Sequence, residues 1–258
     1  MFEKIMFSHA FQPIIDITRE TIVSYEVLLR GVNNEPPGFI FNKINKSNLM
    51  SFDQYNREKA LELAARLGLD CALNINFTPD EIIFEGGLYI TATLEKAKSL
   101  GFNPKQLVIE ITEGEFIHDI DLLASVLNKL RSESMVIAID DFGSAYSGLN
   151  MLAEIQPDLI KLDMSLLRDI DHHGPRQAIV KGIYSVCTDL GIDVLAEGVE
   201  SEGEFNFLRN IGVKLYQGYF FAKPGFECLP QISNSFDDIR SNAQTYMGLP
   251  PFNRRAIC

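Results

Sequence analysis

Val136-Ile137-Ala138-Ile139-Asp140-Asp141-Phe142-Gly143 sets four apolar residues ahead of two adjacent carboxylates and a glycine. A short apolar run that is rich in β-branched residues and bounded by a turn residue reads as a buried strand. Charge at the end of such a strand is costly unless it is paired or holds a cation. The arrangement recurs on both sides of this stretch. Glu110 and Glu113 fall in Leu107-Val108-Ile109-Glu110-Ile111-Thr112-Glu113, and Glu26 in Ser24-Tyr25-Glu26-Val27-Leu28-Leu29-Arg30. Asp163 follows Leu159-Ile160-Lys161-Leu162, and Glu197 follows Ile192-Asp193-Val194-Leu195-Ala196. Acids ending one strand after another suggest carboxylates gathered around cations, and hence an enzyme.

Between these runs lies helical periodicity. Ile120, Leu123, Leu127 and Leu130 form one stripe, and Ile179, Ile183, Val186 and Leu190 another. Ser51-Phe52-Asp53-Gln54 and Ser201-Glu202-Gly203-Glu204 read as capping boxes that open helices. Strands are expected at 11–17, through Leu29, and near 70–77, 106–112, 135–141, 158–163, 192–196 and 214–221. The first two are joined by the short polar turn Thr18-Arg19-Glu20, which favours an antiparallel pair. Eight strands in roughly 220 residues is the scale of a TIM-type (β/α)8 barrel, whose chemistry sits at the C-terminal strand ends. We therefore expect an α/β fold, a variant TIM-type barrel with one antiparallel strand. An open doubly wound sheet is the rival, but no GxGxxG or P-loop supports a dinucleotide or nucleotide-triphosphate site. The barrel domain is expected over 1–230, and a C-terminal helix or tail over 231–258 packed outside it.

The 258-residue chain is 46% hydrophobic, enough for a substantial core, and its formal net charge is −12. That charge argues against a polymeric nucleic-acid partner, though not against a small anionic substrate if divalent cations reverse the local field. Cys71, Cys187, Cys228 and Cys258 show no CxxC pairing, so a reducing compartment is expected. No apolar run reaches the ~18 residues of a membrane span, and Met1 to Ala10 lacks a secretory core. The expected location is the cytoplasm, with no membrane association.

Clustered carboxylate and amide oxygens suit Mg²⁺ or Mn²⁺. Zinc is disfavoured because none of His9, His118, His172 and His173 sits at a strand end. Oxygen-lined sites with two metals about 4 Å apart commonly hydrolyse phosphoesters. Neighbouring strand residues point to opposite faces, so Asp140 and Asp141 reach one site only if the strand ends and turns there. Asp141 has a second reading, as the N-cap of the next helix, and Lys161 as a surface lysine. Tyr219-Phe220-Phe221 reads as barrel packing.

At this point the residues resemble a family, the EAL-domain proteins: cyclic di-GMP phosphodiesterases and their inactive relatives. The resemblance runs from about Phe11 to Pro224. It rests on Glu26-Val27-Leu28 with Arg30, Asn74 in Leu73-Asn74-Ile75-Asn76, Glu110-Ile111-Thr112-Glu113 and Asp140-Asp141-Phe142-Gly143. Lys161-Leu162-Asp163, Glu197-Gly198-Val199-Glu200 and Gln217-Gly218-Tyr219-Phe220-Phe221 complete it. The resemblance implies that Glu26, Asn74, Glu110 and Asp140 bind one metal, and that Asp140 bridges to a second beside Asp141 and Glu197. It implies catalytic roles for Glu26, Lys161 and Glu197, with the choice of general base between the last two open. Gln12, Leu28, Arg30, Asp163 and Gln217 would contact substrate. Glu113 would anchor the loop after Asp141, and Glu200 would stand behind the metal ligands. Two Mg²⁺ or Mn²⁺ ions per site, cyclic di-GMP as ligand and a homodimer are likewise implied. The chain departs from the family pattern at Val27, at Gly31-Val32, at Asn76 and at Ser144-Ala145, where Thr-Gly is common. No metal-ligand position is lost, so the resemblance implies an active, metal-dependent phosphodiesterase that opens cyclic di-GMP to linear 5′-pGpG. Ala145, which adopts positive φ reluctantly, is the one feature in favour of the alternative, a weakly active or inactive sensor or interaction module. A third reading is an unrelated barrel hydrolase.

Overall fold

A computed structural model describes residues 2, 5–112, 117–144, 148–232 and 236. Strands β1 (Phe7–Asp16) and β2 (Thr21–Gly31) form an antiparallel hairpin in which Gln12 stands opposite Glu26. Parallel strands follow: β3 (Ala72–Phe77), β4 (Leu107–Thr112), β5 (Val136–Phe142), β6 (Leu159–Leu162), β7 (Asp193–Ala196) and β8 (Leu215–Tyr216). The sheet order is β2-β3-β4-β5-β6-β7-β8-β1, and β1 pairs again with β2 to close the barrel. Because β1 runs antiparallel to both neighbours, the expected variant barrel is the one observed. A short ninth strand, β9 (Gly225–Phe226), pairs with β1 on the rim at Ala10 and Phe11.

The helices cover the outside: α1 (Pro37–Phe41), α2 (Leu49–Arg66), α3 (Pro79–Ile83), α4 (Leu88–Ser99), α5 (Ile120–Ser132), α6 (Gly148–Ile155), α7 (Met164–Leu167), α8 (Gly174–Leu190) and α9 (Glu202–Ile211). Helix α5 buries Leu123, Leu127 and Leu130 from its predicted stripe. Burying a side chain of this size is worth about 1.5–3 kcal/mol. Helix α9 opens on the predicted capping box: Ser201 accepts from the Glu204 N–H, and the Glu204 carboxylate accepts from the Ser201 N–H. Among the described residues no helix is long and apolar enough to cross a membrane.

Three expectations are corrected. Helix α2 begins at Leu49, so Ser51 lies inside it and Ser51–Gln54 is not a capping box. Gln54 instead donates to Glu58 and accepts from Thr93, satisfying a buried amide between α2 and α4. The last barrel strand stops at Tyr216 rather than near 221. After Gln217 the chain turns, because the Gly218 backbone packs directly on Val199. Finally, the stripe of Ile179, Val186 and Leu190 on α8 is exposed, and Val180 and Cys187 are buried in its place. The expected outer tail lies, apart from residues 231, 232 and 236, outside the described residues, as does Cys258.

Candidate active site

The barrel interior is built in layers two residues apart. The lower layer is apolar, with Ile14, Val108, Ala138, Leu159 and Leu195 packed against Ala72 and Leu215. Alternation along a strand brings every second residue to the same face. Two residues further towards the mouth, the inward positions are therefore Gln12, Asn74, Glu110, Asp140, Lys161, Glu197 and Gln217. Strand pairing sets Glu26 beside Asn74 to complete the ring.

Lys161 is fully buried at the centre of this ring. Its Nζ lies 2.6 Å from Glu197, 2.7 Å from Glu110, 2.9 Å from Asp140 and 3.5 Å from Glu26. Burial alone would lower its pKa, but the surrounding carboxylates outweigh burial and hold it well above the ordinary lysine value. Burial pushes the Glu110 carboxyl up to about 8 against the opposing pull of Lys161. Burial also raises Glu197 well above the ordinary carboxylate range. Asp141 rises to about 6 through burial and the neighbouring Asp140 charge.

Asn74 Nδ2 donates to Glu110 Oε1 at 2.8 Å, leaving Asn74 Oδ1 and Glu110 Oε2 buried without a hydrogen-bond partner. Gln217 Nε2 donates to Glu26 Oε2 at 2.7 Å and to Gln12 Oε1 at 3.3 Å, and Gln12 Nε2 donates to the Ala222 carbonyl. Among the described residues the carboxylates form two groups whose oxygens lie within 4.8 Å of one another: Glu26, Glu110 and Asp140, and Asp140, Asp141 and Glu197. Asp140 belongs to both. Hard oxygen donors with orphaned acceptor atoms fit divalent cations, and two groups sharing one acid fit a pair of them.

The adjacent acids meet because β5 is irregular where they sit. Its register against β6 shifts between Ile139 and Phe142, and Asp141 has φ 54°. Left-handed backbone is uncommon outside glycine, although Asp and Asn tolerate it. Here it turns two successive side chains towards one cavity, and Asp141 is not a helix N-cap. The Glu113 expectation and Ala145 fall outside the described residues.

A cavity of about 300 Å³ opens above the ring, lined by Gln12, Glu26, Asp140, Asp141, Asp163, Glu197, Glu200 and Gln217. Asp163 caps α7 through the Ser165 N–H, and Glu200 pairs with Arg168 at 2.9 Å. Tyr219 is exposed at the rim whereas Phe221 is buried, so only part of the aromatic run is packing. Leu28 lines a second cavity, of about 280 Å³, with Asp53, Asn56, Asn76, Thr78 and Thr112. Arg30 is half-buried, donates to the Leu29 carbonyl and lines neither cavity. Sequence pattern does not reveal this second cavity; its one signal is Asp53, which falls inside the expected cap at Ser51–Gln54.

The EAL domain family matches residues 1–224. This chain belongs to the EAL domain family. The EAL domain resembles the standalone versatile EAL protein from Vibrio cholerae O395, solved in its c-di-GMP bound form. The two are 43% identical with a TM-score of 0.84, over 91% of this chain and 98% of that one. It is 31% identical over 225 residues to the blue light- and temperature-regulated antirepressor BluF of Escherichia coli (strain K12), covering 87% of this chain and 56% of that protein. It is 36% identical over 160 residues to the cyclic di-GMP phosphodiesterase PdeR of the same organism, covering 61% of this chain and 23% of that protein. The chain thus spans about half or less of these two curated relatives.

Proposed function

We propose that this EAL domain hydrolyses cyclic di-GMP to linear 5′-pGpG with two Mg²⁺ or Mn²⁺ ions. The observation that carries the reading is the pair of carboxylate groups sharing Asp140. Glu26, Asn74, Glu110 and Asp140 would hold one ion, and Asp140, Asp141 and Glu197 the other. Bound there, the ions would supply positive charge to the phosphoryl oxygens and lower the pKa of water. Water oxygen adds to phosphorus, the P–O3′ bond breaks, and the departing 3′-oxygen takes up, by way of Glu197, the proton that the water gave up. Lys161, whose pKa the surrounding carboxylates hold above its ordinary value in the metal-free ring, would support developing phosphate charge. Glu197, at the open side of the ring, takes the proton from water. Gln217 and Gln12 fix Glu26, while Asp163, Leu28 and Arg30 contact the dinucleotide and Glu200 supports the ligands from behind. Under this reading the protein works as a cytoplasmic homodimer.

Purified protein incubated with cyclic di-GMP and Mg²⁺ or Mn²⁺, with an EDTA control, should yield metal-dependent pGpG by nucleotide chromatography. The likeness to the antirepressor BluF favours a second reading, a module that binds without turnover. Intact cyclic di-GMP after hours, with tight binding by calorimetry, would select it.

A further inference from the structure

The ladder between β2 and β3 ends inside the site. It pairs Ser24 with Ala72, Tyr25 with Leu73 and, last, Glu26 with Asn74. Above that last pair β2 stays with β1 as far as Gly31, and β3 stays with β4 as far as Phe77. The cavity of about 280 Å³ lies in the gap, with Val27, Leu28 and Leu29 on one side and Ile75, Asn76 and Phe77 on the other. Two members of the polar ring thus stand where the barrel wall parts. Beyond Asn74, β3 has a paired neighbour on one side alone.

A side chain from α2 takes hold of this strand end. Arg57 is 3% exposed and its partner Glu81 2%. Arg57 Nη1 donates to the Asn76 carbonyl at 3.3 Å, and Nη2 donates to Glu81 Oε1 at 2.9 Å. The guanidinium carbon lies 4.0 Å from the Phe77 ring centroid. Glu81 Oε2 accepts from the Thr78 N–H at 2.9 Å and from the Thr78 hydroxyl at 3.2 Å. One guanidinium therefore fastens Asn76, Phe77 and the turn into α3 onto α2.

Stability does not account for this arrangement. A buried ion pair gains little over apolar residues of the same size. Arg57 Nε is also left buried without a hydrogen-bond partner, which carries a cost of its own. What a planar fork set on a carbonyl, a carboxylate and an aromatic face supplies is a fixed position. Asn74 lies two residues before Asn76 on the same strand, and its amide donates to Glu110 Oε1. A shift of the end of β3 would carry Asn74 with it. Asp141 and Glu197 belong to other strand ends and would stay in place.

We propose that Arg57, braced by Glu81, is a positioning residue for Asn74. It holds the strand end so that the Asn74 amide oxygen is presented to the cation shared with Glu26, Glu110 and Asp140. The assignment rests on the two-cation reading above and adds a residue outside the ring, which acts through the strand.

Calorimetric Mn²⁺ titration of the full chain tests it, together with Tm and amide exchange in EDTA. Arg57→Met/Glu81→Gln removes the brace and leaves no buried charge unpaired, and the Gln amide oxygen can still accept from the Thr78 N–H. The step assigned to Glu26, Asn74, Glu110 and Asp140 should weaken roughly three- to tenfold, below the 10–100-fold of a residue bonded directly to a ligand. The other step should not change. In EDTA the amides of Asn76 and Phe77 should exchange faster, and those of β7 should not. Arg57→Lys keeps the charge beside Glu81 but not the fork, so it should keep most of the Tm and still show the weakened step. Leu208→Ala, which removes core packing under α9, should lower Tm and leave both steps alone. Wild-type affinity in both Arg57 variants overturns the proposal, and so does equal weakening of both steps or the same loss in Leu208→Ala. A wild type that binds no Mn²⁺ overturns the two-cation reading and the proposal together, whereas wild-type binding with unaltered variants overturns the role of Arg57 alone.

Discussion

Lys161 Nζ lies 2.7 Å from Glu110 Oε1, and both side chains are sealed from solvent in the barrel. Glu26, Asp140 and Glu197 stand around the same ammonium. One lysine thus offsets part of a charge that no other buried cation in the ring offsets. Removing one member of a buried ionic cluster leaves the rest uncompensated, a penalty of about 3–5 kcal/mol. Lys161→Met in EDTA should lower Tm by roughly 6–20 °C, at about 2–4 °C per kcal/mol for a chain of this size. Mn²⁺ should recover most of the loss, since a cation bound to the native state adds stability. Thermal unfolding with and without Mn²⁺ checks this; equal Tm values for variant and wild type in EDTA would remove Lys161 from its role as counter-charge.

The raised carboxyls also give the metal-free protein a pH dependence of definite sign. Glu110 rises from 4.5 to about 8 and Asp141 from 3.8 to about 6, each chiefly through burial. The native state therefore keeps protons that the unfolded chain releases, and stability falls as pH rises through this window. Lys161, with its pKa raised, contributes across the whole window and loses its contribution only above its ordinary value. Urea midpoints in EDTA should fall between pH 5 and pH 8. With Mn²⁺ the trend should flatten or reverse, because cations bind ionised ligands. A midpoint that rises over this range in EDTA would contradict the assignment.

Much of this site was legible because a strand has period two. Ala138 and Asp140, Leu159 and Lys161, and Leu195 and Glu197 each place an apolar residue two positions below a polar one, so the sequence itself separates floor from ring. The order of the motifs then supplied the family. Other features were hidden for physical reasons. The bulge at Asp141 is a backbone event, and the Gly143 turn only hinted at it. On α8, apolar residues occupy two faces, and periodicity alone does not say whether Val180 and Cys187 or Ile179 and Leu190 face the barrel. Leu28 follows Glu26 by two residues, yet it lines a separate cavity with Asn76 and Thr112, a division that only the shape of the mouth reveals.

Gly218 fixes the turn that carries Gln217. A Cβ at Gly218 would lie 2.0 Å from the Val199 carbonyl oxygen and 2.4 Å from its nitrogen, both backbone atoms. The same contact region holds the hydrogen bond from the Val199 N–H to the Gln217 carbonyl. Gly218→Ala must push these segments apart, which costs about 1–3 kcal/mol by analogy with overpacked cores. It should also move Gln217 off Glu26. The expected result is a lowered Tm together with weakened Mn²⁺ binding; wild-type values for both would show that the turn can absorb the methyl group.

Gln217→Ala tests the amide without disturbing the turn. Gln217 Nε2 is 2.7 Å from Glu26 Oε2, and Glu26 belongs to the group with Glu110 and Asp140 but not to the other. A hydrogen bond of this kind fixes where the carboxylate points. Losing such a partner typically weakens metal affinity about 10–100-fold. The loss should therefore appear in one cation step and leave the group of Asp140, Asp141 and Glu197 nearly unchanged. Calorimetric Mn²⁺ titration resolves the two steps: weakening of one supports Gln217 as the residue that positions Glu26. Equal weakening of both would mean that the two groups respond as a single unit, and no weakening would mean that Glu26 holds its place through Lys161 alone.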